Sequence, residues 1–373
     1  MSFSPEDCSK EFQEFIKSAI DTLEPITPSA AVDKFIEYKE SDIRPQTILE
    51  YRRKLAHFQE FCKLEEIDNL NEINGRVING FRKYRRTESA PQAQPLARKT
   101  MRDDMYLFRD FIRFLEHIEA VSSNLSEKIP IPKIKKEDGV RNIDIDPKRV
   151  EKILQYLEQY EYASRPHIVW LFHSHTGRRP GGLYALDLCD LYLDNKKPYI
   201  ELRHRPEETE LKNGDAGETE MYISGGIAQI FKDYIETNRI DVLTDNGREP
   251  FLTTTHGRLS KTTMRKYIYN YSRPCVIHGK CPHDRDIDSC EATQSGDHAS
   301  KCPSSEPPYA LRHGYITSKL RSGAPTEVIS GRCDVSKKVI DKHYDERNEA
   351  EKRELRQSVF EDLRDEEKEG GYL

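Results

Sequence analysis

The chain has 373 residues, 33 % of them charged and 36 % apolar, with a formal net charge of −6. That length exceeds one ordinary core and predicts two domains. No apolar run approaches the roughly 20 residues of a membrane helix, and Met1-Ser2-Phe3-Ser4-Pro5-Glu6 has no signal-peptide pattern, so a cytoplasmic protein without a membrane partner is expected.

The negative sum argues mildly against a polyanionic partner, but acidic residues concentrate at the termini and around residues 207–220. Distribution therefore matters more than the total. Eight cysteines in such a chain do not read as a disulfide framework.

Residues 1–27 form an N-terminal arm whose Phe12, Phe15, Ile16, Ile20 and Leu23 recur at helical spacing. From residue 28 to 125 the pattern predicts four or five helices and no strand. Ser29 can cap the first. Pro45 opens a second, with Ile48, Tyr51, Leu55, Phe58 and Phe61 as its stripe. A third starts from Asn71 to Asn74, and a fourth buries Met105, Phe108, Phe111, Ile112 and Leu115. Basic residues fall on the outward faces: Arg52, Arg53 and Lys54, then Arg82, Lys83, Arg85 and Arg86, then Arg98, Lys99 and Arg102. Any one of these also suits a solvated helix face. Three clusters on successive elements point to double-stranded DNA, whose phosphates lysine and arginine neutralise.

Residues 126–146 lose the helical period and read as a basic linker. Asp146-Pro147 then caps the first helix of a second domain, 147–348. A buried helix ends at Gly177, and K-P-Y-I-E-L-R-H-R and E-T-E-M-Y-I-S read as strands joined by a polar turn. Residues 349–373 are a charged helical tail with few apolar anchors.

Three features carry chemistry. Thr176-Gly177-Arg178-Arg179 is a tight turn bearing arginines. Tyr309-Ala310-Leu311-Arg312-His313 heads a helix, and His343-Tyr344-Asp345 ends the next helical segment. Guanidinium forks meet two phosphate oxygens at once. Nearby positive charge favours the phenolate of a tyrosine, whose phenol is otherwise a poor nucleophile. Two arginines and a tyrosine thus suit attack on a phosphodiester.

These residues resemble the tyrosine recombinases, or phage-type integrases, especially their archaeal members. T-G-R-R-P-G-G-L is similar to the family's T-G-x-R-x-x-E-L, and Y-A-L-R-H to its H-x-L-R-H. The resemblance implies catalytic roles for Arg179, Lys212, Tyr309, Arg312, His313 and Tyr344, with Lys212 the hairpin lysine. Lys196 and Lys197 are alternatives for it. The chain departs from the pattern at Gly182, where the family has glutamate, and at Tyr309, where it has His or Lys. The family's His or Trp shortly before the tyrosine has no clear match near Gly331-Arg332-Cys333-Asp334.

The implied fold is mainly α with a small antiparallel β-sheet: a helical core-binding, SAM-like domain and an α+β catalytic domain. The implied function is a site-specific recombinase acting on double-stranded DNA as a tetramer, with C-terminal tail exchange and no catalytic cofactor. The alternatives are a catalytically degenerate DNA-binding regulator on the same scaffold, and a relaxing topoisomerase. Nucleoid association would follow from DNA binding.

Between the two arginine motifs, residues 274–303 hold Cys275, Cys281, Cys290 and Cys302 with His278, His283 and His298. Zinc takes four such ligands and can fold a polar loop, so a structural zinc on the four cysteines is expected, with free thiols as the alternative.

Overall fold

The computed structural model describes residues 23–88, 95–135, 145–345 and 347–369. It divides into two compact units, Met1–Arg141 and Asn142–Leu373. The amphipathic segment of the arm, from Phe12 to Ile20, lies outside the described residues. Among those described, no helix is long and apolar enough to cross a membrane.

The first unit holds helices α1 (Pro28–Glu40), α2 (Pro45–Leu64), α3 (Gly75–Lys83) and α4 (Arg98–His117). Proline at the first turn of α1 and α2 fixes φ where no backbone donor is needed. Thr27, rather than Ser29, caps α1: its hydroxyl accepts from the Ala30 amide at 3.3 Å. The cap sits two residues earlier than expected because Pro28 can only occupy the first turn of the helix. Asn74 caps α3. Apolar stripes meet in an aromatic core, with Phe58, Phe81 and Phe108 ring centroids 4.6–5.1 Å apart. All five apolar residues expected to face inward on α4 are buried. Beyond α4, Glu116 accepts from the Ser126 amide and hydroxyl at 2.7 and 2.8 Å, and Ile129 is buried. The first residues expected in the linker are thus packed into this unit, while 136–144 lie outside the described residues.

The second unit runs through α5 (Pro147–Tyr160), α6 (Arg165–Thr176) and α7 (Pro180–Ala185), then β1 (Leu191–Tyr192), β2 (Tyr199–Leu202) and β3 (Thr219–Tyr222). These strands form an antiparallel sheet in the order β1-β2-β3, with Tyr199 opposite Tyr222 and Leu202 opposite Thr219. Helix α8 (Gly225–Thr237), a short β4–β5 hairpin (Thr253–Thr254, Gly257–Arg258), α9 (Lys261–Tyr271) and α10 (Pro274–His278) follow. The last helices are α11 (Pro308–Arg321), α12 (Thr326–Cys333), α13 (Lys337–His343) and α14 (Glu349–Glu369).

Helix α6 is the axis of this core. Residues 167–173 are all buried, and Trp170 has no exposed surface. Asp187 and Asp190, between α7 and β1, are buried and tied to four arginines, of which Arg203 lies 3.3 Å from Asp190. Arg258 reaches Asp187 at 2.7 Å, Arg248 reaches it at 2.6 Å, and Arg205 reaches Asp190 at 2.5 Å. Two buried carboxylates are tolerable only with such partners. The knot fixes the base of the β2–β3 hairpin against the end of α7.

Candidate active site

Helix α6 stops because Gly177 adopts φ +64°, a conformation that suits a residue without Cβ. Space demands glycine as well: a Cβ there would stand 2.5 Å from the Tyr315 ring and 2.9 Å from Cys333 Sγ. The stop releases the Gly177 carbonyl, and Arg312 Nη1 on α11 donates to it at 2.9 Å. Arg312 also donates to the Cys333 carbonyl at 2.5 Å and to that of Asp334 at 3.3 Å, and is only 4 % exposed. Its guanidinium thus staples the α6 turn to the segment between α12 and α13.

The two arginines of the turn go separate ways. Arg178 is buried and donates to the Gly217 and Gly331 carbonyls, each at 3.1 Å. Burial pulls its pKa down to about 10, against the Asp334 carboxylate 4.0 Å away. Arg179 is partly open to solvent. Its Nη1 donates to the Asp334 carbonyl and to Asp334 Oδ2, both at 2.8 Å. Burial, then the charge of Arg312, lowers the pKa of Arg179.

Tyr344 caps α13 and is 2 % exposed. Two residues of α11 sit beside it: the His313 ring at 5.1 Å and the Tyr309 ring at 6.2 Å between centroids. His313 Nε2 lies 3.2 Å from the His343 carbonyl, pinning the end of α13. Tyr309 is 45 % exposed, and burial of its hydroxyl, then a hydrogen bond to Tyr344, raises its pKa. Arg312 and Arg179 oppose that shift, so both guanidiniums act on the tyrosine pair.

The structure therefore brings Arg179, Arg312, Tyr309, His313 and Tyr344 into one place. Lys212 is on the exposed turn between β2 and β3. Its neighbour Asn213 reaches the site, donating from Nδ2 to Asp334 Oδ1 at 2.6 Å. Lys196 and Lys197 are exposed on the β1–β2 turn. Two residues had no expected role: Arg178, which looked like a spacer, and Asp334, which ends α12 in the left-handed region at φ +53°. The one available signal was that aspartate tolerates that conformation. Arg332, near the position of the family's His or Trp, turns to the Tyr222 and His175 carbonyls instead.

Among the residues expected to touch DNA, Arg85 needs correcting. It is buried and pairs at 2.8 Å with Asp104, itself 5 % exposed, which also meets Lys54 at 3.2 Å. The chain widens into a π-helical turn at Tyr84–Glu88, so the α-helical spacing that put Arg85 outward no longer holds there. Arg52 pairs with Asp33 and Arg102 with Asp103 at the surface. Arg53, Lys83, Arg86 and Lys99 are exposed. Arg82, Lys83, Arg86, Arg98 and the linker residue Lys133 line one cleft of about 760 Å³.

The four cysteines of the insert do not gather as expected. Cys302 and Cys281 both raise the pKa of Cys275, after the larger effect of burial, so these three are neighbours. Even so, among the described residues the only group of three potential ligands within 4.8 Å is Asp187, Cys189 and Asp190. As placed, Cys275, Cys281, Cys290 and Cys302 do not fit a tetrahedral zinc. The Asp187 group is no better candidate, because arginines already neutralise its carboxylates.

Residues 32–118 match the family model described as phage integrase, N-terminal SAM-like domain. The structure resembles a lambda integrase dimer bound to a COC′ core site, with a TM-score of 0.61 at 14 % identity over 92 % of this chain and 86 % of that one. It is similar to the Tn1549 transposon integrase in complex with a circular intermediate DNA, also with a TM-score of 0.61 at 14 % identity, over 90 % and 99 % of the two chains. The fold is that of these integrases. A lambda integrase tetramer bound to a Holliday junction matches with a TM-score of 0.57 at 13 % identity, over 86 % of this chain and 78 % of that one. No curated protein matches the chain. Within the recombinase fold, the N-terminal unit is the SAM-like domain, and the arginine–tyrosine cluster lies in the C-terminal unit.

Proposed function

We propose that this protein is a site-specific DNA recombinase that cleaves and rejoins duplex DNA through a phosphotyrosyl intermediate at Tyr344. What carries the reading is that Arg179 and Arg312, 133 residues apart in sequence, both bond the Asp334 carbonyl, ten residues before Tyr344. Their guanidiniums suit the non-bridging oxygens of a phosphodiester, where charge accumulates in the transition state. As its proton passes to solvent, the Tyr344 oxygen attacks phosphorus, the bond to the 5′ oxygen breaks, and the 5′-hydroxyl leaves with a proton that Lys212 is suited to give. Attack by another strand's 5′-hydroxyl reverses the step. Because the phosphotyrosyl bond conserves the energy of the broken one, no ATP is consumed.

The basic cleft of the first unit, with Arg82, Lys83 and Arg86, suits the DNA backbone. Assembly as a tetramer on paired sites would use α14, whose Val359 and Phe360 are 44 % and 67 % exposed, as the exchanged tail. DNA binding would place the protein at the nucleoid. A structural zinc on the four insert cysteines is a separate proposal, and it requires the insert to close around the metal.

One observation favours a second reading, a DNA-binding protein on an inactive scaffold: Tyr344 is buried and covered by Tyr309, where the family has His or Lys. A covalent-trapping assay on nicked suicide duplexes decides between them. The recombinase gives a denaturation-resistant protein–DNA adduct that Tyr344→Phe abolishes. Binding without adduct across a broad site library would establish the inactive scaffold.

A further inference from the structure

Arg178, Arg179 and Arg312 crowd one corner of the second unit: Arg178 feels the charge of the other two, and Arg179 that of Arg312. Five backbone carbonyls receive their hydrogen bonds, from Gly177, Gly217, Gly331, Cys333 and Asp334. Carbonyl dipoles offset only part of three positive charges. The carboxylate in contact with this group is that of Asp334.

Both its oxygens are held. Oδ2 accepts from Arg179 and Oδ1 from Asn213, while the left-handed backbone at Asp334 sends its N–H to the Ser330 carbonyl. Gly182, on the turn that carries Arg179, supplies no carboxylate. The two bonds that Arg179 makes to Asp334 both leave from Nη1. Its Nη2–Nε edge is the one a phosphate can meet with two parallel bonds. Asp334 thus holds the guanidinium by one corner and does not use the Nη2–Nε fork.

We infer that Asp334 is the positioning residue for Arg179, setting the angle at which that guanidinium meets the scissile phosphate. Through Asn213 it also locks the β2–β3 turn to the same point, so the turn that carries Lys212 and the segment leading to Tyr344 share one anchor. The inference rests on the recombinase reading above. It goes beyond that reading by assigning the support for Arg179 to the α12–α13 connection.

The test uses the full chain with Asp334→Asn, which keeps the left-handed backbone and removes the charge, and Asp334→Glu, which keeps the charge. Four quantities are read: affinity for a nicked duplex, single-turnover rate of adduct formation, melting temperature, and the Nε–H resonance of Arg179, assigned by its loss in Arg179→Lys. With Asp334→Asn, duplex affinity stays within about threefold of wild type or tightens, since a negative charge has gone. The adduct rate falls about 10²-fold, the scale of an ångström-level misplacement. The Arg179 resonance moves toward that of free arginine, and Asp334→Glu recovers part of the rate.

An adduct rate within threefold of wild type overturns the inference, as does a parallel loss of affinity, rate and melting temperature. If the wild type itself forms no adduct on any duplex, the recombinase reading is what has failed. The Arg179 resonance still judges the anchor: unchanged in Asp334→Asn, it overturns the inference independently.

Discussion

The two units keep their shape by opposite means. The first is held by aromatic bulk: Phe35, Phe58, Phe81, Phe108 and Phe111 pack ring against ring, and the basic residues expected to touch DNA are, apart from Arg85, at least partly open to solvent. The second has an apolar core of its own, but its functional corner is held by guanidiniums bonded to carbonyls and one carboxylate. Bulk is replaceable volume, and its loss costs stability. Charge geometry is directional, and its loss costs chemistry first.

The largest expected effect lies on the side of bulk. Phe58→Ala should remove about 3–5 kcal/mol from the first unit, a large share of what a domain possesses. Denaturant unfolding followed by circular dichroism would measure it, while the adduct rate per folded molecule stays near wild type. Next comes Arg312→Lys, which keeps the charge and loses the fork. Adduct formation should fall 10²–10³-fold, equivalent to about 3–4 kcal/mol. If instead Arg312→Lys keeps its rate, point charge suffices and the contrast between the units collapses.

Smallest per residue is an acid effect confined to the second unit. Burial depresses the pKa of His167 to about 4 and of His173 to about 3, from 6.5. His173 has no hydrogen-bond partner at either ring nitrogen. Well above pH 6.5 both are neutral folded and unfolded, so they contribute nothing to pH dependence there. As pH falls below 6.5 the unfolded chain takes up protons that the folded one refuses. Stability therefore drops, by about 2 kcal/mol per histidine at pH 5. Fluorescence of Trp170, the chain's one tryptophan, reports melting of this unit; a midpoint that does not move between pH 7 and pH 5 would refute the assignment.

This division also explains what could be read in the sequence. The stripes of α2 and α4 repeat at helical period, and burial follows the period. Arg179, Arg312 and Tyr344 stand in short motifs, and the structure places them together. Arg85 was misread because a π-helical turn changes the angle per residue, which composition does not announce. Asp334 was missed because its role depends on an arginine 155 residues away and on a single left-handed residue. Asp104 faces inward on α4, where it pairs with Arg85.

The separation between Arg179 and Asp334 also bears on synthesis. A ribosome delivers Arg178 and Arg179 long before it delivers α12 and α13, so during most of translation these guanidiniums have neither counter-charge nor tyrosine. Contacts of such long loop closure form late in folding. A chain interrupted between residues 141 and 344 would hold its first unit complete yet lack the nucleophile proposed above. On the proposed reading the order of residues along the chain is itself a safeguard: the arginines are made first and the tyrosine well after them.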